Sequence, residues 1–564
     1  MDQKSRDALG GLGAVLLGLA AFLLFAGWWV LIPGNISWLG ERDRAMHTLG
    51  WFFYRDAPWG WPPGDSPHLG IELANSIALV DGLPLFALPL KLVAAWLPRP
   101  FQYWGDWWLL CFCLQSFFGY RLARELGASR LAAIVAGGFA LATPAFLFRI
   151  GLHMALGGHW LILAALTLYA RRTPPNLWLW PLLVAVAAAV HAYLFVMVGS
   201  IWFAAFMQRL WLRRLAGTAL WLEPALCIGL ALLVLWAAGF FYTGTLGSIG
   251  YGYYRLNLLW PFITQGWSRL LPSLPHSGED YEGLSFLGIG VFGALLLALV
   301  TGSLFDVRRL ASRRWLPLLL VCLLLALFAL SDTVGLLDHQ AGPIPLPAPV
   351  ELLGHMFRST GRFVWPLLYL VSIGAVVLAA RRLVLAPFIL GLLLIAQTLD
   401  SSWAWSAFRR TIPAPAAAFA TTLASPFWDR AAAAGYTHIR AIPVVSRNPD
   451  WRALEYFAYV HGMDVDAIYL GRVDDGAVAR LNAGQKAAAA AGTLDPHTLY
   501  SVDLVTARAI ARWLLPADLL AVVDGRIVFA RGGAHLVDGL GVDPHSGLAA
   551  TPWLPPAFRS LAGQ

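Results

Sequence analysis

Asp43, His47, Trp51 and Arg55 follow one another at intervals of four. On a helix that spacing puts a carboxylate, an imidazole, an indole and a guanidinium on one face. Beside a membrane such a face can bind a polar head and take a proton from it, and it equally suits an interfacial helix with solvated charges. Asp81 stands in an apolar stretch, where an ionised carboxylate needs a partner or a shifted pKa. It also suits the cap of a helix beginning near Pro84. Residues 250–257 read Gly-Tyr-Gly-Tyr-Tyr-Arg-Leu-Asn and residues 279–283 read Glu-Asp-Tyr-Glu-Gly. Tyr251, Tyr254, Asn257 and Glu282 suit a sugar-like ligand, with ring faces on C–H surfaces and polar groups on hydroxyls. They also suit an aromatic belt at the bilayer interface. Arg358 and Arg362, four apart in Arg-Ser-Thr-Gly-Arg, can chelate a phosphate or snorkel as anchors. His153, His159 and His191 lack metal-site spacing, and Cys111, Cys113, Cys227 and Cys322 lie inside apolar stretches. Neither a metal centre nor a disulfide framework is expected.

The elements that must position these residues are membrane helices. Of 564 residues, 59% are hydrophobic and 13% charged, against about 25% charged in soluble domains, and mean hydropathy is +0.64. The 27 Trp residues fit anchoring at the headgroup level. The net charge of +8 does not point to nucleic acid, because it is spread over short loops. Those loops have a side. Apolar stretches are followed in turn by Arg121, Arg124 and Arg130, by Arg171 and Arg172, by Arg209, Arg213 and Arg214, by Arg308, Arg309, Arg313 and Arg314, and by Arg381 and Arg382. The alternate connections are acidic and aromatic instead. Clustered arginine marks the cytoplasmic side.

Spans are expected at 11–32, 103–121, 131–148, 159–170, 176–190, 193–208, 217–241, 284–304, 315–331, 363–380 and 383–399, about eleven at some 20 residues each. The first reads as a retained helix, since it is long for a signal peptide and lacks a small-residue cleavage site. The apolar segment 76–97 contains Asp81, Pro84, Pro89 and Lys91 and reads as juxtamembrane or re-entrant. If it crossed, every later arginine cluster would move outside. His191 lies either between two helices or inside one broken helix. The outer loops are then 34–102, a short one around 149–159, 242–283 and 332–362.

Two domains follow: a transmembrane domain over 1–400 that includes the large first loop, and an outer α/β domain over 401–564. In the second, strands are expected at 437–445, 464–470, 498–502 and 519–523, the last paired with 526–530 across Asp524-Gly525, a hairpin signal. Helices are expected at 450–462, 475–491 and 504–514.

This layout resembles the GT-C superfamily of membrane glycosyltransferases. More closely, it is similar to a bacterial family of unknown function thought to be GT-C-like. The segments carrying the likeness are His47 with Gly50-Trp51-Phe52-Phe53, Pro58-Trp59, Ser76-Ile77, Asp81-Gly82-Leu83-Pro84-Leu85, Tyr251 to Leu258, Tyr281-Glu282-Gly283 and Gly361-Arg362-Phe363. The resemblance implies a polyprenyl-phosphate sugar as donor, a glycan or lipid acceptor, and an acid early in the first loop as catalytic base. Asp43 matches that acid by position, with Glu41 the alternative if the register differs. Leu83-Pro84-Leu85 stands where the superfamily has Pro-Pro-Leu. His47, Arg55 and Asp81 become supports of the catalytic group. Arg358 and Arg362 become ligands of the donor phosphate, and Tyr251, Tyr254, Asn257 and Glu282 the sugar pocket. No metal requirement is indicated. A bacterial inner membrane location is implied, with the N-terminus cytoplasmic and the C-terminal domain periplasmic. The rival readings are a transporter or flippase of a lipid-linked or small polar solute, which expects ionisable residues at mid-depth, and a non-catalytic scaffold for envelope assembly.

Overall fold

The computed structural model describes residues 3–73, 75–173, 175–215, 217–242, 250–306, 312–445, 451–469 and 474–548. Arg308, Arg309 and the end of the 464–470 strand lie outside the described residues. The chain forms two compact bodies. One comprises Met1–Trp38, Phe101–Leu235 and Leu246–Pro415, and the other Leu39–Pro100, Trp236–Thr245 and Ala416–Gln564.

The helices, in chain order, are α1 (Gln3–Phe25), α2 (Arg42–Asp56), α3 (Pro84–Leu92), α4 (Trp104–Glu125), α5 (Arg130–Leu141), α6 (Pro144–Leu152), α7 (Trp160–Ala170), α8 (Leu179–Val190), α9 (Ala192–Trp211) and α10 (Ala219–Ala237). Then come α11 (Ile289–Val300), α12 (Leu316–Ala329), α13 (Ala348–Met356), α14 (Trp365–Ala379), α15 (Ala386–Asp400), α16 (Ser402–Arg410), α17 (Phe427–Ala433), α18 (Trp451–His461), α19 (Asp475–Ala491) and α20 (Leu504–Ile510).

In the first body a helix occupies each of the eleven stretches expected to cross. Four are long and apolar enough to do so by themselves: Ser5–Phe25, Ala192–Trp211, Ala219–Ala237 and Thr360–Ala379. The pairs α5/α6, bent by 46°, and α15/α16, bent by 49°, raise the number to six if each pair is one span. The chain is thus a mostly helical membrane-associated protein with four to six candidate crossing helices among the described residues. The difference from eleven is one of length and charge. α8, α11 and α12 are apolar but short, and α4 carries Asp106, Arg121, Arg124 and Glu125. Proline opens α6, α12, α14 and α15, where its missing N–H costs nothing. His191 separates α8 from α9 in extended backbone, and its ring Nδ1 accepts the Tyr193 N–H to cap α9. The imidazole is therefore a helix-start device. α1, α4 and α5 pack as one layer, joined by α7, α14, α15 and α11.

The second body holds a five-stranded sheet of order β4 (Asp464–Val465), β3 (His438–Ile442), β5 (Thr498–Val502), β7 (Arg526–Ala530) and β6 (Leu519–Val523). A separate two-stranded ribbon, β1 (Val334–Leu336) with β2 (His339–Ala341), belongs to the first body. β3 runs parallel to β4 and β5, while β7 pairs antiparallel with β5 and with β6. The hairpin turns where expected, with both Asp524 (φ 48°) and Gly525 (φ 77°) left-handed, the geometry a two-residue turn demands. Asp503 caps α20 by accepting the Thr506 N–H at 2.7 Å, and Gly492 ends α19 in left-handed backbone. Ile442, Tyr500, Ala507, Ile510, Leu520 and Phe529 form part of the core between the sheet and these helices.

The loop that follows the first helix is integral to this body. Leu69 bridges in parallel to Val465, with Val465 N–H on His68 O at 3.1 Å and Gly70 N–H on Val465 O at 2.8 Å. The edge strand β4 is thereby covered. Phe52 of α2 stacks on Tyr459 of α18, centroids 4.6 Å apart. Arg440 pairs with Glu72 and, at 2.7 Å, with Asp466. Residues 39–100 thus fold with residues 416–564, Leu69 bridging to the edge of the sheet that begins at 438. The segment 76–97 consists of turns and the nine-residue α3, about 14 Å of helix against about 30 Å of hydrocarbon.

Candidate functional site

In the first body three polar stretches expected from sequence meet. Gly283 and Gly361 make this possible. A Cβ on Gly283 would stand 2.4 Å from Arg255 O, and one on Gly361 would stand 2.8 Å from Arg255 O and from Gly283 Cα. Only glycine allows the three backbones to come so close. Asp280 accepts from Asn257 Nδ2 at 2.8 Å and forms an ion pair with Arg255 Nε at 3.2 Å, and Glu279 accepts from Arg255 Nη1 at 3.0 Å.

Glu282 lies at the centre. Its Oε2 meets Arg149 Nη1 at 2.6 Å, Arg362 Nη2 at 2.7 Å and Arg362 Nε at 2.8 Å. Its Oε1 faces His153 Nε2 at 3.5 Å, and its carbonyl accepts Arg149 Nη2 at 2.8 Å. Arg149, Glu282 and Arg362 are buried. Burial alone would raise the Glu282 carboxyl, but Arg149 and Arg362, with His153, hold it well below the usual carboxylate range. Two guanidiniums share the Glu282 carboxylate, while at the same junction two carboxylates share Arg255, so the paired charges balance across the two groups. Arg362 also lies over the Tyr193 ring, Cζ to centroid 4.7 Å.

Beside this cluster is a more open tyrosine group. Tyr254 meets Tyr281 edge-on at 5.7 Å and Tyr253 at 4.8 Å, and Tyr253 and Tyr281 are exposed. Burial and the Glu282 carboxylate push the Tyr281 phenol up, so it stays a neutral donor. Arg358 is half-buried, with Cζ 5.9 Å from the Tyr254 ring. Among the described residues Arg358 makes no ion pair. Tyr251 lies apart, against His355 and over Gly354.

Several expected roles change on this geometry. Asn257, expected in a sugar pocket, donates to Asp280 and to Leu337 O, both at 2.8 Å, and accepts the N–H groups of Leu259 and Leu337. Its hydrogen-bonding capacity is used within the fold. Glu282 pairs with Arg149 and Arg362. Arg362 is committed to Glu282, so Arg358 and Arg362 do not form a free pair of pincers. Sequence reasoning passed over Arg149. Arg149 stands at the start of the short outer loop around 149–159, where no motif marks it.

In the second body α2 is present, and its face at four-residue spacing is buried rather than interfacial: His47, Trp51 and Arg55 are all in the core. His47 Nδ1 donates to Val80 O at 2.9 Å. Gly50 lets α2 lie on that turn, since a Cβ there would stand 2.4 Å from Val80 Cγ2. Arg55 donates to Pro98 O, Ala94 O and Leu97 O at 2.9, 3.0 and 3.1 Å, which fixes the turn ending the loop. The next turn of helix towards the N-terminus carries Asp43, half-buried in the first turn of α2, where a carboxylate is favoured by the helix dipole. Glu41 is exposed at the cap position and pairs with Arg452 at 2.8 Å. Asp81 has left-handed backbone (φ 50°), and the cap position of α3 belongs to Leu83, so Asp81 is not that helix's cap. Lys91 lies 4.0 Å over the Tyr54 ring and 4.8 Å over Trp59, and burial pushes its ammonium pKa down to about 8.

No group of three or more His, Cys, Asp or Glu able to hold a metal occurs among the described residues. No curated protein matches the chain. A family model described as Domain of unknown function (DUF6311) matches residues 15–402, and one described as DUF6311 C-terminal domain matches residues 427–531. The first match alone spans more than half of the 564 residues, and the chain therefore belongs to the DUF6311 family.

Proposed function

We propose that the protein is a GT-C-type glycosyltransferase that moves a sugar from a polyprenyl-phosphate donor to an acceptor at the periplasmic face of the bacterial inner membrane. The topology in this reading has eleven spans, a cytoplasmic N-terminus and a periplasmic second body. The helix found at each expected crossing stretch supports it, as does the alternation of the arginine clusters.

The observation that carries the reading is the charged cluster of the first body. Arg358 and three tyrosines, set beside the buried Arg149–Glu282–Arg362 cluster, bring one guanidinium, unpaired among the described residues, and several ring faces together. That combination suits a sugar phosphate: guanidinium for the phosphate, rings for the C–H faces of the sugar. In the reaction the acceptor oxygen forms a bond to the anomeric carbon as the bond from that carbon to the phosphate oxygen breaks. The phosphate leaves on its lipid with the electron pair, its growing charge met by Arg358. The acceptor proton goes to a carboxylate, and we assign that role to Asp43.

The donor half is tested by thermal protection of the full chain with a polyprenyl-phosphate sugar. Protection is expected for wild type, and Arg358→Gln should weaken apparent affinity about tenfold, the worth of one charge-assisted contact. Undiminished protection of Arg358→Gln removes that residue from the site. Topology is tested by alkaline phosphatase fusions, active after residue 400 and inactive near residue 310. The reverse pattern inverts the model.

A further inference from the structure

We infer that the first body carries a built-in site for an anionic phospholipid, between α1, α5 and α15 and under the amphipathic helix α16. A groove of about 230 Å³ opens here, lined by Ala20, Ala21, Leu24, Leu141, Leu394 and Trp405 among others. Small residues on α1 make the furrow, while Gly138 holds its floor shut: a Cβ there would stand 2.3 Å from Leu394 Cδ2. The lining is almost wholly apolar, and the groove runs into the outward surface of the same helices, where Leu23, Leu392, Ile395 and Leu399 are exposed. In a membrane protein that surface faces hydrocarbon. The volume accommodates a stretch of one acyl chain and not a whole lipid.

A lipid tail alone gains little there, because bulk lipid is equally apolar. Retention needs the head, and the mouth supplies the charge. Arg409 donates to Leu24 O, on the groove wall, and lies 5.6 Å over the Trp29 ring. Arg410 and Arg269 both lie over Trp403, at 5.7 and 5.8 Å. The nearby Asp400 carboxylate is taken up by the backbone N–H groups of Arg269 and Leu270, each at 2.9 Å. None of the three arginines has an ion pair among the described residues. Arginine and tryptophan on one short helix at the end of an apolar span are what headgroup-level anchoring requires. The occupant that fits is a phospholipid of net negative charge, its phosphate on Arg409 with Arg410 and Arg269 adding field, and one chain in the groove. The inference rests on membrane embedding and not on glycosyl transfer.

The experiment uses the full chain in nanodiscs containing a photoreactive phosphatidylglycerol with its diazirine in the acyl chain, and mass-spectrometric mapping of adducts. Adducts should concentrate on residues 17–25 and 394–398. Ala21→Phe and, separately, Ala20→Phe fill the groove and should cut this labelling about tenfold. Arg409→Gln should cut it several-fold, and Leu392→Phe, on the outward surface, should leave it unchanged. Two filling variants guard against one that fails to fold. Labelling equal to that around Leu392, or untouched by either filling variant, overturns the site. Equal labelling by a photoreactive phosphatidylcholine overturns the anionic head. Displacement by polyprenyl phosphate more readily than by phosphatidylglycerol overturns the choice of occupant.

Discussion

Arg149 and Arg362 of the first body and Arg55 of the second are all arginines withdrawn from water, yet they are satisfied in different ways. The first two converge on the single carboxylate of Glu282. Arg55 distributes its donors over three backbone carbonyls, and His47 beside it takes a fourth. The carbonyl oxygens saturate most of the Arg55 donors and lock a turn, while its charge is met by the neighbouring Asp56 carboxylate at 3.6 Å. Two guanidiniums on one carboxylate hold opposite charges together in a buried network, with the half-buried Arg358 beside it. A buried arginine is therefore a peg or a network member according to what it meets, and the residue type alone does not say which.

Substitutions that remove one partner in each place test that contrast. The largest stability effect is expected for Glu282→Gln, which strands two buried guanidiniums and should cost about 3–5 kcal/mol. It would be read as a lowered thermal midpoint of the full chain, with proteolysis mapped to the first body. A midpoint within error of wild type would mean the arginines have other partners. The same group has a pH signature. Its native pKa is depressed, so its stabilisation is complete above the ordinary glutamate value of 4.5 and erodes as pH falls from there towards the native value. Glu282→Gln should remove that part of the acid sensitivity, and an unchanged midpoint-versus-pH curve would contradict the assignment. Arg55→Met leaves three carbonyls unmet and should cost about 1–3 kcal/mol, with cleavage appearing first near residues 94–98. The smallest effect is expected for Glu41→Gln. Its exposed pair with Arg452 should be worth about 0–1 kcal/mol, and a larger loss would show that the loop depends on that contact to dock.

What the sequence could reveal follows the range of the interactions. The hairpin at Asp524-Gly525 was legible because its turn chemistry is local, and the helices were legible because apolar length is. The four-residue spacing of Asp43, His47, Trp51 and Arg55 correctly gave one helix face but not its surroundings. Burial of that face depends on Val80, Ala94 and Pro98, tens of residues away. β4 was expected to run from 464 to 470, yet among the described residues the strand holds Asp464 and Val465, with Tyr469 in a separate bridge, since register is set by neighbours. The cluster at Glu282 draws on partners 133 and 80 residues distant, so its members could be suspected singly but not assembled. The loop's membership of the second body rests on contacts between residues 68–72 and 440–465, which no local pattern announces.

The claim on which the account turns is that the polar chemistry is glycosyl transfer with Asp43 as its carboxylate. The direct measurement is release of free polyprenyl phosphate from a polyprenyl-phosphate sugar pool in membranes holding wild type, Asp43→Asn or Glu41→Gln at equal expression. Wild type should release it, Glu41→Gln should stay close to wild type, and Asp43→Asn should fall by a factor of about 10² to 10⁴ while donor protection of the folded chain persists. Near-normal release by Asp43→Asn would remove Asp43 from the role, collapse of Glu41→Gln alone would move it two residues earlier, and no release by wild type across donor sugars would contradict glycosyl transfer itself.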